Sequence, residues 1–309
     1  MPWYIYLPIA HHSVALPLIV GLGFVVGLLS GLFGVGGGFL MTPLLIMFGI
    51  PPTVAAASDS NQIVAASATG SYAHYRLGNV DFKMGLYLLI GGIIGGTVGV
   101  QAIKILRALG NADFLIMVTY VLMLGFVGGY MLLESLQAMR KNKVSVPVQI
   151  STKESAYARL LKSLPYQTNF EKSGVVLSPV VPLALGALVG ILAAIMGVGG
   201  GFIMVPVMVY LLRMPMHVVV GTSLFQVLFT CINVTIMQAV SNRTVDFVLA
   251  LLLLFGSVFG AQVGVKFSTR LKDDQLKIYL AILVLLVMVK MLFGLVVEPQ
   301  NLLAYHGGH

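Results

Sequence analysis

Apolar residues fill long runs of this chain, and polar residues gather in the short breaks between them. In the first half the runs predict helical segments at roughly 14–33, 39–49, 53–75, 82–106 and 112–134. In the second half they fall near 179–196, 202–212, 216–240, 246–270 and 274–297. A bilayer core takes about 20 apolar residues to cross, at about 1.5 Å of rise per residue. The first, third, fourth and fifth segments of each set are candidates to span. The second of each set is too short to cross alone. The third segments carry a polar face. Ser58, Gln62, Ala65 and Thr69 share one side by helical spacing, and so do Thr222, Gln226, Phe229 and Asn233. Polar faces on spanning helices turn toward the bundle interior or a cavity. His74 and Gln238, at equivalent places toward the far end, are expected at the membrane interface.

The same glycine knot interrupts both halves. Gly34-Val35-Gly36-Gly37-Gly38-Phe39 recurs as Gly197-Val198-Gly199-Gly200-Gly201-Phe202, each followed four residues later by a proline, Pro43 and Pro206. A shift of 163 to 165 residues aligns the halves. Met41 meets Met204, Pro51 meets Pro215 and Gln62 meets Gln226. Val80-Asp81-Phe82 meets Val245-Asp246-Phe247. Gly91, Gly95 and Gly99 meet Gly256, Gly260 and Gly264. These last glycines, spaced by four, mark helix faces that allow close backbone approach in lipid. Between the halves, 135–178 is the one long polar stretch, with Arg140, Lys141, Lys143, Lys153, Arg159, Lys162 and Lys172.

Composition narrows the class. The chain has 309 residues, 58% hydrophobic and 9% charged, against about 25% charged in soluble domains. This is an all-α polytopic membrane protein. Its net charge of +8 reflects loop residues that follow the positive-inside rule, and no nucleic-acid partner is expected. If each repeat crosses an odd number of times, the halves are inverted. With 135–178 inside, only Lys104, Arg107, Arg243 and Lys290 of the 18 basic residues then fall outside. A parallel arrangement moves Arg213, Lys266, Arg270, Lys272 and Lys277 outside, so inversion is expected, with both termini outside. No basic residue precedes Arg76, so no secretory signal is expected. The single Cys231 is expected to be a small core residue.

Unpaired backbone groups are not tolerated in lipid, so an irregular knot must face protein or a water-filled cavity. Glycine allows left-handed backbone and close approach of another group. A following helix adds free N–H donors and about half a positive charge at its start. Gly36, Gly37, Gly38, Gly199, Gly200 and Gly201 are therefore candidate backbone donors to an anion. Gln62, Thr222, Ser223 and Gln226 would orient it. In Thr42-Pro43 the proline is expected to be the first helical residue, with Thr42 as cap. Asp59 breaks the symmetry, because Ser223 stands in its equivalent place. A carboxylate is a poor anion ligand, so Asp59, helped by Asn61, is the candidate coupling residue, loading a proton or a cation. No cofactor or metal is expected. No Gly-Lys-Ser/Thr loop follows either knot, and Phe39 and Phe202 occupy the last glycine position of a dinucleotide fingerprint. The spans lack paired catalytic carboxylates and a Ser/His/Asp set, which argues against an enzyme.

The doubled GVGGGF-x3-Pro motif resembles the sulfite exporter TauE/SafE family. The resemblance covers nearly the whole chain apart from the N-terminal tail and 135–178. It implies a transporter of sulfite, sulfonates such as sulfoacetate, and related anions. The second half keeps Gly221-Thr222-Ser223-Leu224, close to the family's Thr-Ser-Leu run. The first half departs, with Ser58-Asp59-Ser60-Asn61, which leaves room for a substrate other than sulfite. The expected architecture has two inverted repeats of about five segments, interrupted or re-entrant at the knots. Residues 1–134 form the first repeat, 135–178 a cytoplasmic linker and 179–309 the second. The expected function is secondary transport, as an exporter in the inner membrane, of a small sulfur-containing oxyanion or organosulfonate. A passive anion channel, and a membrane enzyme or assembly factor, are the alternatives.

The charge distribution gives a direct test of topology. In a Cys231→Ala background, single cysteines at Ser13 and Gln300 should label from outside and one at Ser151 from inside. Labelling of Ser13 and Gln300 from opposite sides would exclude inverted repeats.

Overall fold

The computed structural model describes residues 3–33, 38–140, 166–212, 214–268 and 273–296. Among the described residues, ten helices form close to the apolar runs. In the first half they are α1 (Leu16–Phe33), α2 (Gly38–Met47), α3 (Pro52–Arg76), α4 (Phe82–Ala108) and α5 (Ala112–Arg140). In the second they are α6 (Val180–Met196), α7 (Gly201–Pro206), α8 (Met216–Met237), α9 (Phe247–Ser268) and α10 (Asp273–Val296). Single π-turns extend α7 over Val207–Leu211 and α8 over Gln238–Asn242. Among the described residues, four helices are long and apolar enough to cross a membrane: Phe82–Ala108, Ala112–Tyr130, His217–Asn242 and Phe247–Gly264.

Local chemistry corrects two expectations. Pro43 is not the first residue of its helix. It sits inside α2, and Thr42 turns its hydroxyl away from any capping role. In α7, Pro206 supplies no N–H for the helical ladder, and the chain passes directly into a π-turn. Gln238 is buried within the protein. Its carbonyl oxygen accepts bonds from Asn242 Nδ2 at 2.6 Å and Thr244 Oγ1 at 3.2 Å, closing the π-turn that ends α8. Of the expected linker, 135–140 continue α5 and 168–177 form a hairpin; 141–165 lie outside the described residues.

The helices pair across the halves. α1 lies along α9, and α4 along α6, in close approach through glycine. A side chain at Gly91 would strike the backbone of Leu183, and one at Gly95 that of Ala187. Equivalent glycines do the same work in the other pair, with Gly256 against Val20 and Gly260 against Phe24. The polar helices α3 and α8 cross between these pairs. Gly221 abuts His74, Gly70 abuts Leu224, and Ile63 joins Val227 and Cys231. Residue numbers rise along one helix as they fall along the other, so α3 and α8 run antiparallel.

Each half also begins with a two-stranded hairpin. Strands β1 (Tyr4–Leu7) and β2 (His12–Ala15) precede α1; β3 (Thr168–Phe170) and β4 (Val175–Leu177) precede α6. Leu7 pairs with His12, and Phe170 with Val175, around four-residue loops. Both loops end in left-handed backbone, at His11 and Gly174. Leu7 and Val14 enter a core with α1, α2, α3 and α9. Phe170 and Leu177 enter the matching core with α4, α6, α7 and α8.

Two aspartates fasten this arrangement. Asp81 caps α4 by accepting from Met84 N–H at 3.0 Å, and takes the Ser173 N–H at 3.1 Å together with the Ser173 hydroxyl. Asp246 accepts from Leu249 N–H and from Ile9 N–H, each at 3.1 Å. Each aspartate thus starts a helix of its own half and holds the hairpin of the other. Their own N–H groups complete the reciprocity. Asp81 donates to Thr222 Oγ1 at 3.0 Å and Asp246 to Ser58 Oγ at 3.1 Å.

Loss of a capping side chain costs about 0.5–2 kcal/mol, and a buried donor left unpaired costs about 1–3 kcal/mol more. Asp81→Ala and Asp246→Ala should therefore each lower the melting temperature in detergent clearly, and Ser173→Ala should do so less. Wild-type melting of both alanine variants would show that these carboxylates do not fasten the hairpins.

Candidate functional site

Gly38 and Phe39, the described end of the first knot, meet the second knot at the crossing of α3 and α8. Phe39 and Phe202, the last residues of the two motifs, stack face to face with centroids 4.6 Å apart and planes 6° from parallel. Gly36 and Gly37 lie outside the described residues. Gly38 is buried at the start of α2, and a side chain there would meet Ile63 of α3 and approach Asp59 Oδ2. In the second knot Gly197, Gly199 and Gly200 are left-handed, at φ of 73°, 69° and 75°. This is the conformation that only glycine adopts freely, and it ends α6 and starts α7 within four residues. No side chain caps α7 at Gly200. Gly199 packs on Ile63, Val227 and Cys231, so Ile63 touches both Gly38 and the second knot. The expectation of Cys231 as a core residue agrees with its burial.

Helix α3 holds the second knot directly. The Ser60 hydroxyl donates to Gly197 O at 3.2 Å and to Ala56 O at 3.1 Å. Asp59, the next residue back, is fully buried. Its Oδ2 accepts from the Thr42 hydroxyl at 2.8 Å, and its Oδ1 has no hydrogen-bond partner. Asn61 is half-buried and, two residues on, lies on a different face of α3. Tyr120 of α5 is also fully buried; its hydroxyl donates to Met196 O at the end of α6 and adjoins Thr42.

The other candidates separate from this centre. Thr222 uses its hydroxyl on the Asp81 N–H, and the Ser223 hydroxyl turns back to Val220 O at 3.1 Å. Gln226 is buried against Gly92 of α4, with Nε2 bonded to Thr230 Oγ1 at 2.8 Å. Gln62 and Gln226 keep one shared feature: each is buried with a carbonyl oxygen that has no partner. Among the described residues no cluster of His, Cys, Asp and Glu could hold a metal ion. Sequence reasoning did not single out Tyr120 or Ser60. Their partners lie 76 and 137 residues away, beyond any local spacing rule.

These features define a multi-pass membrane protein with a polar, hydrogen-bonded centre at the breaks in its helices. The family model "Sulfite exporter TauE/SafE" matches residues 19–291, and the chain belongs to that family. It is a membrane transporter family rather than an enzyme family. The chain is 25% identical to "Probable membrane transporter protein YunE" of Bacillus subtilis, covering 87% of this chain and 94% of that protein. It is 27% identical to "Probable membrane transporter protein YjnA" of the same organism, covering 86% and 96%. "Sulfite exporter TauE/SafE family protein 3" of Arabidopsis thaliana is 31% identical over 31% of this chain and 20% of its own. No solved structure matches the chain.

The geometry separates two neighbouring glycines. Gly200→Ala would put a side chain on left-handed backbone, at about 1–2 kcal/mol, and drive it into Val189. Gly201→Ala meets only Val227 Cγ2, at 3.2 Å, on helical backbone. In detergent-solubilised melting curves Gly200→Ala should be markedly destabilised and Gly201→Ala close to wild type. Equal stability of the two would remove the requirement for a left-handed break.

Proposed function

We propose that this protein is a secondary transporter of the inner membrane. It exports a small sulfur-containing oxyanion or organosulfonate by alternating access between two inverted repeats. The observation that carries this is the convergence of both glycine knots on one buried centre, joined by the Phe39–Phe202 stack. Inversion is supported by the antiparallel crossing of the sequence-equivalent helices α3 and α8. It is supported also by the charge count, which puts 135–178 in the cytoplasm and both termini outside. Interrupted helices at such a centre suit anion transport, because helix starts offer free N–H donors without a buried cation.

Gly36, Gly37, Gly38, Gly199, Gly200 and Gly201 contribute the backbone donors. Gln62 and Gln226 orient the anion when α3 and α8 part, while Thr222 and Ser223 steady α8 beside it. The apolar group of Ile63, Val227 and Cys231 closes the path between the knots and opens as the halves rock. Asp59, with Asn61 nearby, couples the movement to a proton or cation gradient.

Purified protein in proteoliposomes, assayed with radiolabelled sulfite, sulfoacetate and taurine-like sulfonates, tests the assignment. Saturable uptake with counterflow is expected for at least one of them, and Asp59→Asn should lose the ion dependence of accumulation. Flux that neither saturates nor exchanges would make the protein a channel. Accumulation by Asp59→Asn with unchanged ion dependence would remove Asp59 from coupling.

A further inference from the structure

We propose that Asp59, Thr42 and Tyr120 form a proton-loading relay that joins the first knot to the second, which makes the coupling ion a proton. The proposal rests on the transporter assignment above and deepens it. Among the described residues Asp59 is the one buried carboxylate with an oxygen lacking a hydrogen bond. No cationic side chain among them pairs with it. An isolated ionised carboxylate in such a place is so costly that it takes up a proton or a partner ion. A metal cation would need a shell of oxygens, but Ile63, with Val227 and Cys231, packs against this side of the knots.

The order of the oxygens gives the relay its logic. Thr42 sits between Asp59 and Tyr120 and has one hydroxyl proton to give. In the geometry observed it gives that proton to Asp59 Oδ2, and Tyr120 gives its own to Met196 O, one residue before the second knot. The relay operates when the proton taken up by Asp59 settles on Oδ2, the oxygen bonded to Thr42, rather than on the unpaired Oδ1; the carboxylic acid then becomes the donor. Thr42 must then accept and turn its own proton toward Tyr120. One O–H bond forms, nothing is oxidised, and the proton returns to water when the site opens on the other side. The contact with Met196 O is thereby altered by an event 137 residues away in sequence at Asp59. Neutralising Asp59 also removes a negative charge beside Gly38, so proton and anion load together, and export proceeds where the outward drive on the anion exceeds the inward drive on the proton.

The neighbours leave this carboxylate as the responsive group. Asp113 on α5 accepts the Thr53 N–H at 3.1 Å, and Asp246 before α9 is held by Leu249 and Ile9. Tyr120 on α5 and Cys231 on α8 lie within electrostatic reach of Asp59. Helices α2 and α6, and α7 as far as Pro206, contain no titratable residue.

Two measurements test the relay. Difference infrared titration of the purified protein should show a carboxylic-acid band that is absent in Asp59→Asn. Its midpoint should shift in Thr42→Val and Tyr120→Phe and return to the wild-type value in Thr42→Ser. Separately, binding of 2-hydroxyethanesulfonate, whose charge is constant with pH, should strengthen as pH falls, by at most about tenfold per unit for one linked proton. The same variants should flatten or displace that dependence. An infrared midpoint indifferent to Thr42→Val and Tyr120→Phe overturns the relay, and so does accumulation driven by sodium instead of a proton gradient. If the infrared shifts appear but no anion binds, the relay stands and the anion assignment falls.

Discussion

A backbone break at membrane depth survives only where protein or enclosed water closes around its polar groups. The second knot breaks the backbone between α6 and α7, and much of the described structure around it can be traced to enclosing it. The enclosure needs more than apolar bulk. It needs partners for the freed carbonyls and amides, and these come from the other half. Ser60 of α3 serves Gly197 O, and Tyr120 of α5 serves Met196 O. The halves therefore cannot fold as independent units with complete hydrogen bonding. The first half supplies the hydrogen bonds that the second half's break requires.

The same dependence extends to the hairpins. A capping aspartate normally satisfies helix donors and nothing else. Asp81 and Asp246 use a second oxygen to take an N–H from the hairpin of the other half. Apolar residues of each hairpin then fill the groove beneath. Long-range contacts of this kind are slow to form, because the loop between partners must close first. They also make the hairpins part of the bundle rather than tails upon it.

How much of this the sequence discloses depends on the range of the interaction. Helix positions were legible because burial in lipid imposes a long, continuous apolar pattern. The knots and the Gly91-Gly95-Gly99 face were legible because glycine was selected for backbone geometry that no other residue supplies. The hairpins were not. Their equivalent positions share only apolar character, Leu7 with Phe170 and Val14 with Leu177, and His11 adopts the left-handed turn that Gly174 takes more easily. Thr42 before Pro43 resembles a cap by local rules. Its hydroxyl instead finds Asp59 on another helix, and no spacing along the chain encodes that. Among the site candidates, Gly38, Asp59 and the second knot come together, whereas Thr222 and Gln226 turn toward α4.

Backbone and chemistry divide differently between the halves. The backbone is reciprocal, with matching hairpins, caps, glycine faces and stacked phenylalanines. The polar groups of the relay are one-sided: Val205 stands opposite Thr42 in the alignment, Ser223 opposite Asp59, and Leu285 falls where Tyr120 stands at a shift of 165. In the proposed alternating-access cycle this division has a use. Two conformations that exchange the roles of like backbones lie near each other in energy, so neither is a trap. A ligand can move such an equilibrium only through unequal affinity for its two states. Equal halves would give a carrier that rocks without preference. Placing the protonatable carboxylate in one half alone gives the cycle one site where proton occupancy is linked to anion occupancy, and that linkage is what lets a gradient drive net movement.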